Sequence, residues 1–252
     1  MTHTSTHAST SAFTVASGGH QLPGVLHLPA GDGPHPAVLL LHGFPGWERN
    51  FDLAHAFSRA GYATLVFHYR GSWGAAGTWS WSNVLEDAAA AVQVLRADPR
   101  VDAARLAIVG HSMGGFAALR TVAADPTIPL VASIAAFDFG AAATAPNPDQ
   151  YVEPFDSDLL PLRGTSGRAL VDEMVAHGPE WRLTALAAQL ADRHVLLIGA
   201  NRDAAAPHEE NYLPLVDAYT TAEHHLFPTD HALADHREEL AEAVVDFLKR
   251  KL

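Results

Sequence analysis

Gly110-His111-Ser112-Met113-Gly114 is the stretch whose residue types and spacing can do covalent chemistry. Residues 106–109 form a short apolar run with two β-branched members and read as a buried strand, while residues 116–124 are rich in helix formers up to Asp125-Pro126. Strand, Gly-x-Ser-x-Gly, helix is a sharp turn in which the glycines let strand and helix approach without a Cβ clash, so that the serine stands exposed at a strained backbone angle. The helix start beneath it brings free N–H groups and positive dipole to its oxygen. Ser112 is therefore the candidate nucleophile, and the Met113 N–H a candidate donor to a developing oxyanion. The bland alternative is a glycine-rich turn with a structural serine. Neither Gly-x-Gly-x-x-Gly nor a Lys-Ser/Thr phosphate loop fits here, and no cofactor is expected.

A serine hydroxyl is a poor nucleophile until a base takes its proton, and that base must be held in the right tautomer. Asp203 follows the strand-like run 194–200, and His231 lies in a short loop after the run 223–227. Both can reach the edge of a sheet where Ser112 emerges. Asp138, at the end of the run 130–137, competes for the acid's role. For the base, His224 and His225 fall within a strand, His236 begins the last helix, and His111 points away from Ser112 by alternation. Ser72 and Ser82 are the other candidate nucleophiles.

Residues 36–42 are nearly continuously apolar, as a central strand buried on both faces must be, and they end in His42-Gly43-Phe44-Pro45-Gly46. The Phe44 N–H is the candidate second oxyanion donor; the alternative is that His-Gly only makes a tight turn. The loop over 70–81 carries Trp73, Trp79 and Trp81 among glycines. These tryptophans either wall an apolar acyl or alcohol pocket or pack the loop onto the core.

Positioning these groups requires alternating strands and helices. Residues 12–17 and 24–28 read as an antiparallel hairpin. Strands over 36–42, 62–69, 106–109, 130–137, 194–200 and 223–227 alternate with helical patterns over 48–60, 83–97, 116–124, 207–220 and 235–249. This is βαβ logic, so the fold class is α/β with a mostly parallel central sheet flanked by helices. Residues 140–180 break the rhythm with five prolines, and a structureless loop of that length is improbable in one domain. We read an inserted cap with a helix over 166–177, lying over the strand C-termini or, alternatively, a lateral excursion. Residues 1–10 read as a disordered tail and 11–252 as a single domain.

With 252 residues, 48% of them hydrophobic, the chain can bury a sizeable core. A net charge of −12 argues against nucleic acid and anionic membrane as partners and suits small neutral or cationic molecules. The absence of cysteine excludes disulfides and a thiolate nucleophile, and the sixteen histidines are too scattered to suggest a metal. No signal peptide and no membrane-length apolar run is found, so a cytoplasmic protein is expected.

Gly110-His111-Ser112-Met113-Gly114, followed by Asp203 and then His231, resembles the α/β-hydrolase superfamily, with its order of serine, acid and histidine. His42-Gly43-Phe44-Pro45-Gly46 is similar to that family's oxyanion loop, and Tyr69-Arg70-Gly71-Ser72 is similar to the catalytic domains of prolyl-oligopeptidase-type enzymes. The resemblance implies a catalytic Ser112, Asp203 and His231 with Phe44 and Met113 as oxyanion donors. It further implies a small serine hydrolase, a carboxylesterase acting on a small-molecule ester. Peptidase or amidase activity, carbon–carbon bond hydrolysis, perhydrolysis and a non-catalytic binding protein on the same fold stay open, as does the oligomeric state.

Overall fold

The apolar run after Pro36 forms a strand because its leucine and valine side chains are buried on both faces at once. In the computed structural model, which describes residues 7–252, this is β3 (His35–Leu41), preceded by a hairpin of β1 (Ser9–Ser17) and β2 (His20–Leu28). The chain continues through α1 (Phe51–Arg59), β4 (Ala63–Phe67), α2 (Trp81–Ala97), β5 (Val101–His111), α3 (Met113–Ala124) and β6 (Leu130–Ile134). Three short helices follow β6: α4 (Phe139–Ala143), α5 (Val152–Ser157) and α6 (Gly167–His177). The rest comprises β7 (His194–Ala200), α7 (His208–Asn211), α8 (Leu213–Ala218), β8 (Glu223–Phe227) and α9 (Arg237–Lys251).

The strands form one sheet in the order β1-β2-β4-β3-β5-β6-β7-β8. β1 pairs with β2, and β2 with β4, in antiparallel fashion, while every other pairing is parallel. This is the α/β architecture expected. Alternation along β3 divides the core in two: Ala37, Leu39 and Leu41 pack with α2 and α3, whereas Val38 and Leu40 pack with α1 and α9 through Leu53, Phe57, Val244 and Phe247. Burying each Leu or Phe fully stabilises these layers by roughly 1.5–3 kcal/mol relative to leaving it exposed.

Several boundaries shift for local reasons. β1 begins at Ser9, so residues 9 and 10 of the expected 1–10 tail are strand; residues 1–6 of that expectation lie outside the described residues. α1 starts at Phe51 and not at residue 48, because Asn50 is left-handed (φ 57°) and breaks the helix. β6 stops at Ile134, where Ala135 turns the chain at φ 45°. The helix expected over 207–220 is split into α7 and α8, with Pro214 in the first turn of α8.

The segment expected as a cap is bonded to loops that leave the C-terminal ends of β3 and β4. Trp73 N donates to Pro161 O at 2.9 Å, Arg163 N to Gly71 O at 2.8 Å, and Trp79 N to Arg163 O at 2.9 Å. Trp47 Nε1 reaches Asp158. The Glu173 carboxylate accepts the Trp81 and Ser82 amides, satisfying donors at the start of α2.

Candidate active site

Glycine chemistry fixes the turn that carries Ser112. A Cβ on Gly110 would collide with the Gly114 carbonyl, and one on Gly114 with the Leu41 carbonyl, so only glycine lets α3 descend onto β5 and β3. Between them Ser112 sits at φ 58°, ψ −121°, a backbone conformation that L residues avoid without support. The support is a hydrogen bond from Ser112 N to Ile134 O at 2.8 Å and a contact from Phe137 N to Ser112 O at 3.4 Å. α3 starts at Met113, earlier than residue 116, so the Met113 N–H occupies the first helical position, where no intrahelical acceptor exists. Ser112 is only 9% exposed, less than the sequence suggested. Its cover is the loop after β3: a Cβ on Gly43 would lie 2.9 Å from the Ser112 Cβ.

That loop is braced from beneath. The buried His42 donates from Nδ1 to Gly43 O at 2.8 Å, and Tyr69 Oη donates to His42 O at 3.3 Å. Burial, only partly offset by the bond to Gly43, pushes the His42 pKa down to about 3, so the ring is neutral. Trp73 Nε1 donates to Pro45 O at 2.8 Å and its ring meets Trp47 edge-on.

Asp203 and His231 meet at the opposite side of the turn. His231 Nδ1 donates to Asp203 Oδ2 at 2.6 Å, leaving Nε2 as the ring's second nitrogen. The Asp203 side chain is almost wholly buried, and its other oxygen accepts the Ala205 and Ala206 amides at 2.9 and 2.7 Å. The rival groups are engaged elsewhere. Asp138 caps α4 through Ala141 N and accepts Leu183 N at 3.1 Å, so it staples the two ends of the insertion. Burial raises the Asp138 pKa. His224 and His225 are exposed on β8, and His236 pairs with Asp235. Ser72 is buried with its hydroxyl donated to Tyr69 O. Ser82 is exposed, 3.5 Å from His177 Nε2.

Of the two readings of the tryptophans, packing onto the core is the one that fits Trp79 and Trp81. Trp79 and Trp81 are 2% and 1% exposed and therefore do not wall a pocket; they lie beneath Phe44, at ring distances of 5.9 and 5.2 Å. Trp73 is partly exposed, as are Phe44, Phe137 and Tyr151, while Phe155 is buried. From Phe44 a chain of rings runs to Phe155 (5.5 Å), to Tyr151 (6.0 Å, stacked) and to Phe137 (5.5 Å), and so returns to the residue bonded to Ser112. Two of the four come from the insertion, and nothing in the local sequence around them announces the arc.

A second residue that sequence reasoning set aside is His111. Its Nε2 donates to the His231 carbonyl at 2.7 Å, and the two rings lie 4.9 Å apart. Among the described residues no group of three or more His, Asp or Glu side chains could hold a metal, and no helix is long and apolar enough to cross a membrane.

Residues 38–243 match the α/β hydrolase family, and the chain belongs to it. Esterase EstD of Thermotoga maritima is 34% identical over 107 residues, 38% of this chain and 26% of that protein. The chain matches well under half the length of the curated relatives it resembles. Among solved structures, Est1E from Butyrivibrio proteoclasticus bound to ferulic acid superposes with a TM-score of 0.80 at 21% identity, covering 95% of this chain and 99% of that one. Dipeptidyl peptidase 4 of Porphyromonas gingivalis gives a TM-score of 0.73 at 18% identity over 98% of this chain and 36% of that one. At such identities the likeness is one of fold.

Proposed function

We propose that the chain is a serine carboxylesterase that cleaves esters of small neutral or apolar acids. The observation that carries this reading is the hydrogen bond from His231 to the buried Asp203 carboxylate, offered to the same sheet edge as the strained Ser112 turn. His231 Nε2 takes the Ser112 proton as Oγ attacks the ester carbonyl carbon. The carbonyl oxygen, now an alkoxide, is received by the Phe44 and Met113 N–H groups. Collapse breaks the carbon–oxygen bond to the alcohol, which leaves with the proton from His231, and Ser112 is acylated. Water, deprotonated by His231, attacks the acyl-enzyme; the acid departs and the proton returns to Ser112. Asp203 holds the tautomer with Nδ1–H and balances the imidazolium charge.

The arc of Phe44, Phe155, Tyr151 and Phe137 supports an apolar acyl group beside the nucleophile. The insertion that supplies Tyr151 and Phe155 acts as a cap governing access. Similarity to EstD, a protein named as an esterase, favours ester over amide, while the likeness to a dipeptidyl peptidase keeps amides as the competing substrate class. A panel of p-nitrophenyl esters of increasing acyl length, run beside aminoacyl-nitroanilides, tests the reading. Ester turnover abolished by Ser112→Ala is expected; turnover confined to nitroanilides identifies a peptidase, and inertness toward both contradicts an ester or amide hydrolase.

A further inference from the structure

His111 sits beside the nucleophile in the chain, yet its side chain serves a different residue. It is 3% exposed at the end of β5. Because its Nε2 faces a carbonyl, which can only accept, that nitrogen must carry the proton, and the tautomer is fixed. Its Nδ1 is then a lone pair, buried and without a partner. A second proton would place an uncompensated charge there; burial, together with the neighbouring His231, holds the His111 pKa down to about 3.

The loop that carries His231 is closed on itself by Leu233 N donating to Asp230 O at 3.0 Å and Ala234 N to Asp230 Oδ1 at 2.9 Å, bonds that flank residue 231 without holding its own carbonyl. Ala232, the next residue, has its carbonyl bonded by Arg237 Nη1 at 2.8 Å, and Arg237 is in turn clamped to the Asp52 carboxylate and to Asn50. Leu233 turns the chain at φ 54° and is fully buried. Two consecutive carbonyls, those of His231 and Ala232, are thus tied to β5 and to α9. The Asp203 bond fixes the imidazole only about its Nδ1 end, so the backbone at residue 231 sets where Nε2 falls relative to Ser112.

We infer that His111 is a positioning residue for His231: the Nε2–H···O bond and ring contact of its buried side chain fix the base's backbone and ring plane from β5, the strand that leads into Ser112. Nucleophile and base are thereby referenced to a single element. This rests on the proposed serine-hydrolase reading. A neutral His111 also leaves the imidazolium formed at His231 without a repelling neighbour 4.9 Å away.

The test is a double-mutant cycle on an activated butyrate ester. His111→Leu removes the donor and keeps the bulk; His111→Gln keeps an N–H at similar reach; His111→Asn keeps the amide but is too short, and stands in if the leucine variant does not fold. A displaced base costs about tenfold to a hundredfold in rate. His111→Leu is expected to lose that much in kcat with KM within about twofold, and His111→Gln to recover most of it. In a His231→Ala background, His111→Leu is expected to change the residual rate by less than about threefold, because a positioning residue acts only through the residue it positions. An equal loss in both backgrounds, or no loss from leucine and asparagine alike, overturns the inference. If His231→Ala is itself fully active, the underlying serine-hydrolase reading fails instead.

Discussion

The Asp203 carboxylate receives the His231 Nδ1–H at 2.6 Å, and its other oxygen is held by two backbone amides. A carboxylate so held cannot turn away from the imidazole. Replacing Asp203 by Asn keeps the size, removes the charge and permits the wrong tautomer, a change that costs about 10⁴ in serine proteases. Asp203→Asn is expected to lose at least about 10³ in kcat/KM on an activated ester, read by initial rates.

Asp138 gives the contrast. Its oxygens satisfy the Ala141 and Leu183 amides, so its work is structural. Asp138→Ala leaves buried donors unpaired at about 1–3 kcal/mol each. It is expected to lower the melting temperature by several degrees, while Asp138→Asn keeps kcat/KM within about tenfold. A crippling Asp138→Asn beside a silent Asp203→Asn would reverse the assignment.

Gly43 is pressed against Ser112. A methyl group there would stand 2.9 Å from the Ser112 Cβ and 3.2 Å from His111 O, and neither neighbour can retreat within its turn. Gly43→Ala is expected to push the Phe44 amide out of line and reduce kcat about 10²–10³-fold, the range for losing one oxyanion donor. Acetyl-ester kinetics and a melting curve on the same sample distinguish this from unfolding.

The aromatic arc predicts selectivity. Tyr151 and Phe155 stand in the insertion and contact the rings that flank Ser112, so Tyr151→Ala is expected to raise KM for longer and aromatic acyl esters several-fold and to leave acetate nearly unchanged. Unchanged preference across the ester panel would mean the insertion does not face the acyl group.

Acid stability follows from two buried neutral histidines. His42 and His111 have folded pKa values of about 3, against about 6.5 in the unfolded chain. Below pH 6.5 the unfolded state takes up protons that the folded state refuses, so stability is constant above about pH 7 and falls as the pH drops. At pH 5.5 each histidine contributes a loss of about 1.4 kcal/mol, and the pair about 3 kcal/mol. A melting temperature lower by roughly 6–12 °C at pH 5.5 than at pH 7.5 is expected from these two groups. A flat profile across that window would show that the histidines are charged in the folded protein.

The sheet was legible because its strands are apolar runs bounded by turn residues: β7 and β8 fall on the residues that periodicity marks. The turn at Ser112 and the order of Asp203 and His231 were legible because that chemistry restricts residue type and spacing. What eluded reading depends on which surfaces meet. Alternation turns His111 away from Ser112, but only the packed loop shows that it turns toward His231. Composition could not separate the buried Trp79 and Trp81 from the partly exposed Phe137 and Tyr151, since aromatics serve both places. Nor could it place Asp138, whose amide partners lie three and forty-five residues away.

The central claim is that Ser112 is the nucleophile, and covalent labelling tests it most directly. Treated with a fluorophosphonate and mapped by peptide mass spectrometry, the wild-type protein is expected to carry one adduct on Ser112. Ser112→Ala, with its melting temperature preserved, is expected to carry none and to hydrolyse no ester. An adduct that persists in Ser112→Ala, at Ser72, Ser82 or elsewhere, contradicts the account.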